Sequence, residues 1–543
     1  MGNTQTELTK RYSLWVFLAA LLFFAFICRQ DFDTPPVWDA AAGVFAPAAY
    51  LYEGHGSLIQ LLSEKGYPDG GPNVHTLSVI TAINYLSMLA SKGNPHFYLP
   101  ALHFLNIVMG AFIIVVVFRL ATPLFGRNGA VACCFPLACY PLFLVQTSYV
   151  YTEVPGALFS LLAIYYWTRR HYWPSALFTV AALSIKSLGL FVVASCLALL
   201  ILDMSTNRNR NRLIWPFLFI TISSGLIEGT RWHFSTTPAF LRDSYQSYLI
   251  SLLSYLAHVP DLLLVTLFSP VCLWVLMREA GSLYKLSDQK NRRVQTATVT
   301  MTCAFVSMML TMPLSAKNFF PLPRYYVWTL PALFVCVQYT LYHMISAITH
   351  KHGPAVSLAG TAMTALFFLL NQNGRFYPVS DASNASFSAT ERSFEYRNFL
   401  AVQQSAIDYL DHQKPLPVYC TRGIFYYLSS PLMGYSKSPN MARLVLKEPG
   451  RGRHWQDLPG RYYIIDSGSE NFHGEDIVSA MLQRANNDKL VRVIKMHDAK
   501  SGPYHSAVYL VEATFPASGH IKENSIVPSL VSQESDRNTG ESG

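Results

Sequence analysis

Over its first two thirds the chain alternates long apolar runs with short basic connections. Apolar runs occupy residues 13–28, 99–121, 130–150, 154–168, 174–202, 213–226, 260–277, 296–312, 325–345 and 354–370. A bilayer core of about 30 Å takes about 20 helical residues, fewer where the bilayer thins, so each run predicts a membrane span. Residues 174–202 could form one long tilted helix or two short spans turning at Lys186. The basic connections fall at 119–127, 169–171, 207–212, 278–293 and 350–352. Cationic loops stay on the cytoplasmic side, and all five do so only if 174–202 crosses twice. The pattern therefore predicts an α-helical polytopic membrane protein of about eleven spans, N-terminus inside and C-terminus outside. Lys186 then sits at an external turn, where an ammonium costs far less than at mid-bilayer.

The connection from 30 to 98 is too long for a turn. Its stretches TPPVWDAAAGVFAPAAYLYEG (34–54) and 76–89 suit helices lying at the membrane interface. After residue 371 apolar runs shorten and charges rise. A linker (372–390), a small extracytoplasmic α/β domain (391–514) and a disordered tail (515–543) are expected beyond the membrane domain (1–371). Helices over 391–411 and 476–484 and strands over 417–420, 462–466, 491–495 and 507–511 are predicted for the α/β part.

Composition agrees with lipid as the solvent. Of 543 residues 51% are hydrophobic and 13% charged, against about a quarter charged in soluble domains. The net charge of +9 lies between apolar runs, which marks membrane orientation and not a nucleic-acid surface. Of the nine cysteines all but Cys420 lie in or at the edge of apolar stretches, and Cys133, Cys134 and Cys139, without metal-ligand partners nearby, read as small buried hydrophobes. The first run is followed by Arg29-Gln30-Asp31 and no small-residue cleavage site, so it reads as an uncleaved span.

The predicted topology puts Asp39, Glu153, Lys186, Glu228, Arg231 and Arg324 on one external face, although only Lys186 bears on the choice of crossings. Two carboxylates, Asp39 and Glu153, are the minimum for a general base with a supporting anion or metal ligand. Glu153 also suits a helix first turn, where the dipole favours an acid. Lys186 and Arg324 at the membrane rim suit a lipid phosphate, or a snorkelling lysine and an aromatic-belt anchor. Arg231 pairs in sequence with Glu228, and His75 could orient a polar substrate. The chain has neither the dinucleotide-binding nor the P-loop glycine pattern.

In this order the features resemble the polytopic GT-C type glycosyltransferases, especially the family-39-like protein mannosyltransferases and bacterial aminoarabinose transferases. WDAAAGVFAPAAYLYEGHG and GPNVHTLSVITAINYL stand where that group has its first external Asp-Glu pair and its His/Pro-Pro-Leu element. FRLATPLFGRNG, YPLFLVQTSYVYTEVPGALF, AALSIKSLGL and PRYYVWTLPAL match the later elements. Three positions depart: Ala40 replaces the paired Glu, Glu153 replaces an Asp, and Pro-Asn-Val (72–74) replaces Pro-Pro-Leu. The resemblance implies transfer of a sugar, with inversion, from a polyprenyl-phosphate donor to a glycan, lipid or protein acceptor. It implies Asp39 as general base and Lys186 and Arg324 on the lipid phosphate. Glu153 would orient acceptor, base or a divalent ion (Mg, Mn or Zn) shared with Asp39, and the expected location is the outer face of a bacterial inner membrane. A transporter or flippase of lipid-linked sugars is the competing reading, but it predicts duplicated halves and broken mid-membrane spans that the sequence lacks.

Overall fold

The computed structural model of the chain describes residues 2–37, 40–54, 78–206, 211–234, 289–315, 323–338, 353–371, 394, 396–413, 416–420, 427–428, 430–436, 445–447, 460–467, 491–501 and 504–515. Asp39 and His75, the span expected over 260–277 and the helix expected over 476–484 lie outside them.

Helix α1 (Gly2–Ile27) covers the first apolar run. It leaves Leu14, Trp15, Leu18, Leu22 and Phe26 exposed, an apolar stripe suited to lipid. A π-helical turn (Ala41–Phe45) runs into α2 (Ala46–Tyr52), and α3 (Val79–Ala90) starts on Ser78, whose hydroxyl caps Thr81 N. The sequence predicts both stretches to lie at the interface, and they differ. Ala41 and Val44 to Ala49 are enclosed by protein, whereas α3 exposes Val79, Leu86 and Leu89. The small alanines of 40–49 let that run pack inside the protein instead of floating on its rim.

Helix α4 (Pro95–Cys139) is not a straight rod. Gly126 has φ 70°, a conformation that costs glycine little, and the chain reverses there. Cys134 Sγ on the second limb lies 3.5 Å from the Ile114 carbonyl on the first. The two limbs are the two separate runs read from the sequence, and α5 (Pro141–Ser148) extends the second after a break at Tyr140. Next come α6 (Glu153–Thr168), α7 (Tyr172–Ile185), α8 (Leu190–Thr206) and α9 (Asn211–Phe234). The break between α7 and α8 falls on Lys186, which is extended (φ −160°, ψ 148°), followed by one 3-10 turn, Ser187–Gly189. The long run 174–202 is thus two helices meeting at Lys186. Helices α10 (Gln289–Ser315) and α11 (Gly353–Leu370) flank a 3-10 segment, Pro323–Trp328, and a helical run over 330–338. Among the described residues three helices are long and apolar enough to cross a membrane, over Pro95–Cys139, Ser187–Ser205 and Asn211–Arg231, with shorter apolar helices beside them.

Polar groups gather at the two ends of these helices. At the Thr168 end of α6, Arg293 holds Asp203 through both oxygens at 2.8 and 2.9 Å. Its guanidinium lies 3.9 Å over the Trp167 ring and donates to the Trp167 carbonyl at 2.7 Å. The other end of α6, about 24 Å away at 1.5 Å per residue, carries Glu153. The 3-10 segment reaches that end because Gly156 has no side chain. A Cβ there would stand 2.2–2.5 Å from ring atoms of Trp328, which is fully buried. Gly156→Ala is expected to lower stability by about 1–3 kcal/mol through overpacking, read as a lower melting temperature of the purified protein.

Among the described C-terminal residues a helix and five strands are placed. Helix α12 (Tyr396–Asp411) packs on β4 (Val491–Ser501) and β5 (Tyr504–Phe515). Strands β1 (Val418–Cys420), β2 (Val445–Lys447) and β3 (Gly460–Ser467) complete a sheet of order β2-β1-β3-β5-β4. The β1 pairs are parallel and the β5 pairs antiparallel, with a bulge between Val493 and Lys495. The three-residue β2 is not among the strands predicted from the sequence.

Candidate active site

The turn from Ser148 to Glu153 is the centre of the polar end. Glu153, 1% exposed, opens α6. Its Oε1 lies 3.2 Å from Lys186 Nζ and 3.4 Å from Arg324 Nε, and Oε2 accepts from the Thr152 hydroxyl at 2.8 Å. Three of the residues predicted from sequence therefore meet in one buried ion triad, drawn from α6, the α7–α8 break and the 3-10 segment. Lys186 ends α7 with an extended backbone, which aims it back across the helix ends. Tyrosine faces line the two cations. Lys186 Nζ is 4.2 Å from the Tyr325 ring and 5.3 Å from Tyr151, and the Arg324 guanidinium is 5.5 and 5.2 Å from the same rings. Cation–π attraction of this kind strengthens where water is excluded.

Arg231 does not enter the triad. It donates to Glu228 and, at 2.8 Å, to the Ser184 carbonyl, and lies 3.5 Å from the Ser187 hydroxyl. Ser187 in turn donates to Glu228 at 3.2 Å. The pair braces the break that presents Lys186. Glu153 also fits a divalent ion poorly, because the oxygen such an ion would take already faces two cations. Among the described residues no group of three or more His, Cys, Asp or Glu is placed to hold a metal.

A second buried cluster, missed by sequence reasoning, lies on the other side of the same turn. Asp31, 1% exposed, takes both arms of Arg397, Nε to Oδ1 and Nη2 to Oδ2, each at 2.7 Å. Ser148 donates to the same carboxylate and sits 3.1 Å from the Tyr396 hydroxyl. Burial, then the Asp31 charge, pushes the Tyr396 phenol well above its ordinary range, so it stays a neutral donor. Burial works against the Arg397 charge, but the Asp31 hydrogen bonds and charge outweigh it and raise its pKa. These contacts lock α12 onto the ends of α1 and α5. Tyr435 adds a bond to the Pro36 carbonyl at 3.0 Å and Ser430 one to Glu53 at 2.6 Å.

Trp38 and Asp39 lie outside the described residues, but the chain on both sides of them is placed. Val37 and Ala40, with Thr34, Pro35, Pro36 and Phe45, line a small cavity whose other wall is His103, Tyr149, Val150 and Tyr396. The Tyr149 hydroxyl donates to the Val37 carbonyl at 2.7 Å. Tyrosine rings connect this cavity to the triad. Tyr149 and Tyr151 are edge-on at 6.3 Å, and Tyr151 is the ring that faces both cations. No sequence signal marks the second cluster, but His103 and Asn106, inside the apolar run 99–121, are polar residues at the depth of a predicted span, which by default mark function.

Residues 96–227 match the protein family described as dolichyl-phosphate-mannose-protein mannosyltransferase. The match includes Glu153, Lys186 and the turn between them, and it bears out the sequence reading of a GT-C type membrane glycosyltransferase. No curated protein sequence matches the chain significantly. Among solved structures the chain is similar to ArnT from Cupriavidus metallidurans in the apo state, at 12% identity, covering 94% of this chain and 98% of that one, with a TM-score of 0.45. ArnT bound to undecaprenyl phosphate gives the same identity and coverage with a TM-score of 0.42. The Archaeoglobus fulgidus oligosaccharyltransferase in complex with Zn and sulfate gives 10%, 82% of this chain, 68% of that one and 0.39. None of these likenesses transfers a role to a residue of this chain.

Proposed function

We propose that the chain transfers a sugar from a polyprenyl-phosphate donor to a hydroxyl of a glycan, lipid or protein acceptor, at the Glu153 end of its helices. The observation that carries this reading is the buried triad of Glu153, Lys186 and Arg324, two cations fixed by one carboxylate beside apolar helices. In the proposed reaction Asp39 takes the proton of the acceptor hydroxyl. That oxygen attacks the anomeric carbon as the bond from that carbon to the phosphate oxygen breaks, which inverts the centre. The lipid phosphate leaves with the electron pair, and its charge is stabilised by Lys186 and Arg324. Glu153 serves by orienting the two cations and not as a second base, since its own oxygens are already engaged. The tether of Val37 to Tyr149 supports placing Asp39 within reach of this end. Fixing base, acceptor and donor in one geometry supplies much of the barrier lowering. The basic connections between spans support placing this end on the outer face of the membrane, for which a bacterial plasma membrane is the location proposed. His75 and Arg231 are left as supporting groups, His75 toward a polar substrate and Arg231 as a brace for Lys186.

Lys186→Met keeps the Glu153–Arg324 contact and removes one cation from the phosphate. It is expected to weaken binding of undecaprenyl phosphate roughly 10- to 100-fold, the worth of one charge-assisted hydrogen bond. Titration of the purified protein with that lipid checks it. Unchanged affinity would remove Lys186 from the phosphate site.

A further inference from the structure

The last carbonyls of a helix have no partner within the helix and need donors from elsewhere. For α5 these are the carbonyls of Gln146, Thr147, Ser148 and Tyr149. Two side chains one turn apart on the first limb of α4 lie within hydrogen-bond distance of all four, Asn106 sharing its two N–H groups among three of them. Asn106 Nδ2 lies 2.9, 2.8 and 3.1 Å from the carbonyls of 146, 147 and 149. His103 Nδ1 lies 2.7 Å from the Ser148 carbonyl. The other ring nitrogen of His103, Nε2, lies 2.9 Å from the Thr34 carbonyl. Both side chains are buried.

We propose that His103 and Asn106 are the positioning pair of the site. Asn106 fixes the end of α5 from which Tyr151, Thr152 and Glu153 project. His103 ties that end to Thr34, and so holds the end of α5 against the segment that follows α1. Neither residue touches the triad. They act through backbone that carries the reacting groups. A carbonyl only accepts, so a neutral ring serves one of its two partners and a protonated ring serves both. The assignment of what is positioned rests on the transferase reading, whereas the clamp itself rests on the hydrogen bonds.

The test uses the full-length protein in detergent or nanodiscs, with His103→Leu, His103→Gln and the near-isosteric Asn106→Asp, which cannot donate. Three quantities are measured: undecaprenyl-phosphate affinity, transfer from tritiated polyprenyl-phosphate mannose, arabinofuranose and aminoarabinose, and hydrogen–deuterium exchange over residues 146–153. The clamp predicts faster exchange in that segment, a kcat lowered at least tenfold, lipid affinity within twofold of the parent, and partial recovery in His103→Gln. Parental exchange and kcat in His103→Leu would overturn it, as would equal losses of affinity and kcat. If His103→Leu does not yield folded protein, His103→Gln and Asn106→Asp decide by the same criteria. If the parent transfers none of the three sugars, exchange alone decides the clamp and the transferase reading fails separately. Full activity in Asp39→Asn with a loss in His103→Leu would remove the base and leave the clamp.

Discussion

Replacing Glu153 by Leu is expected to destabilise the protein by about 3–5 kcal/mol, because it leaves two cations buried without the carboxylate that faces them. Lys186 is 8% exposed and Arg324 1%, so neither can turn to water without moving the α7–α8 break or the 3-10 segment. The transfer free energy gained by a leucine is smaller, at about 1.5–3 kcal/mol for full burial. The checks are the melting temperature and the yield of folded protein on size exclusion. Glu153→Gln, which keeps shape and removes charge, should lie between parent and Leu variant. A Glu153→Leu protein as stable as the parent would mean that the triad is not a closed ionic unit.

The second large effect concerns Asp39. In its proposed role as general base it would contribute roughly 10²–10⁴-fold to turnover, so Asp39→Asn is expected to lower kcat by that factor. Lipid affinity should stay unchanged, since the proposed phosphate contacts are those of Lys186 and Arg324. Its neighbour in sequence is Ala40, where the resembling families carry a second acid. The whole effect should therefore sit in the one residue, and Ala40→Glu should not rescue it. The kinetic split separates this outcome from the Lys186 variant, which acts on affinity.

Much of this arrangement is legible in the sequence because membranes impose strong rules on charge. The requirement that basic connections share a side predicts a break at Lys186, and the backbone turns extended there. Glu153 and Arg324, 171 residues apart in numbering, are grouped by the same rule and meet at 3.4 Å. Asp31 escapes notice because its meaning comes from Arg397, 366 positions away, and no periodicity reports such a pair. His103 and Asn106 sit in an apolar run whose turn at Gly126 folds it back onto α5. Only the hairpin shows that their donors face four helix-end carbonyls. The alanine-rich stretch after Asp39 fits an interfacial helix by composition, and its enclosure comes from α3 packed against it and, at Ala40 and Phe45, from a cavity shared with Tyr149 and Tyr396. Of the C-terminal strands read from alternation, β3 and β5 run past the predicted bounds at both ends and β4 at its C-terminal end, whereas β1 is one residue shorter.

The central claim is transfer from a lipid-linked sugar, and one measurement addresses it. Purified parent and Asp39→Asn proteins are reconstituted with tritiated polyprenyl-phosphate sugars and a membrane extract as acceptor, with nucleotide sugars excluded. The account predicts label on a non-donor acceptor, release of polyprenyl phosphate in equal amount, and loss of both in Asp39→Asn. Label that crosses the bilayer while remaining on its original lipid, or transfer that proceeds unchanged in Asp39→Asn, would contradict it.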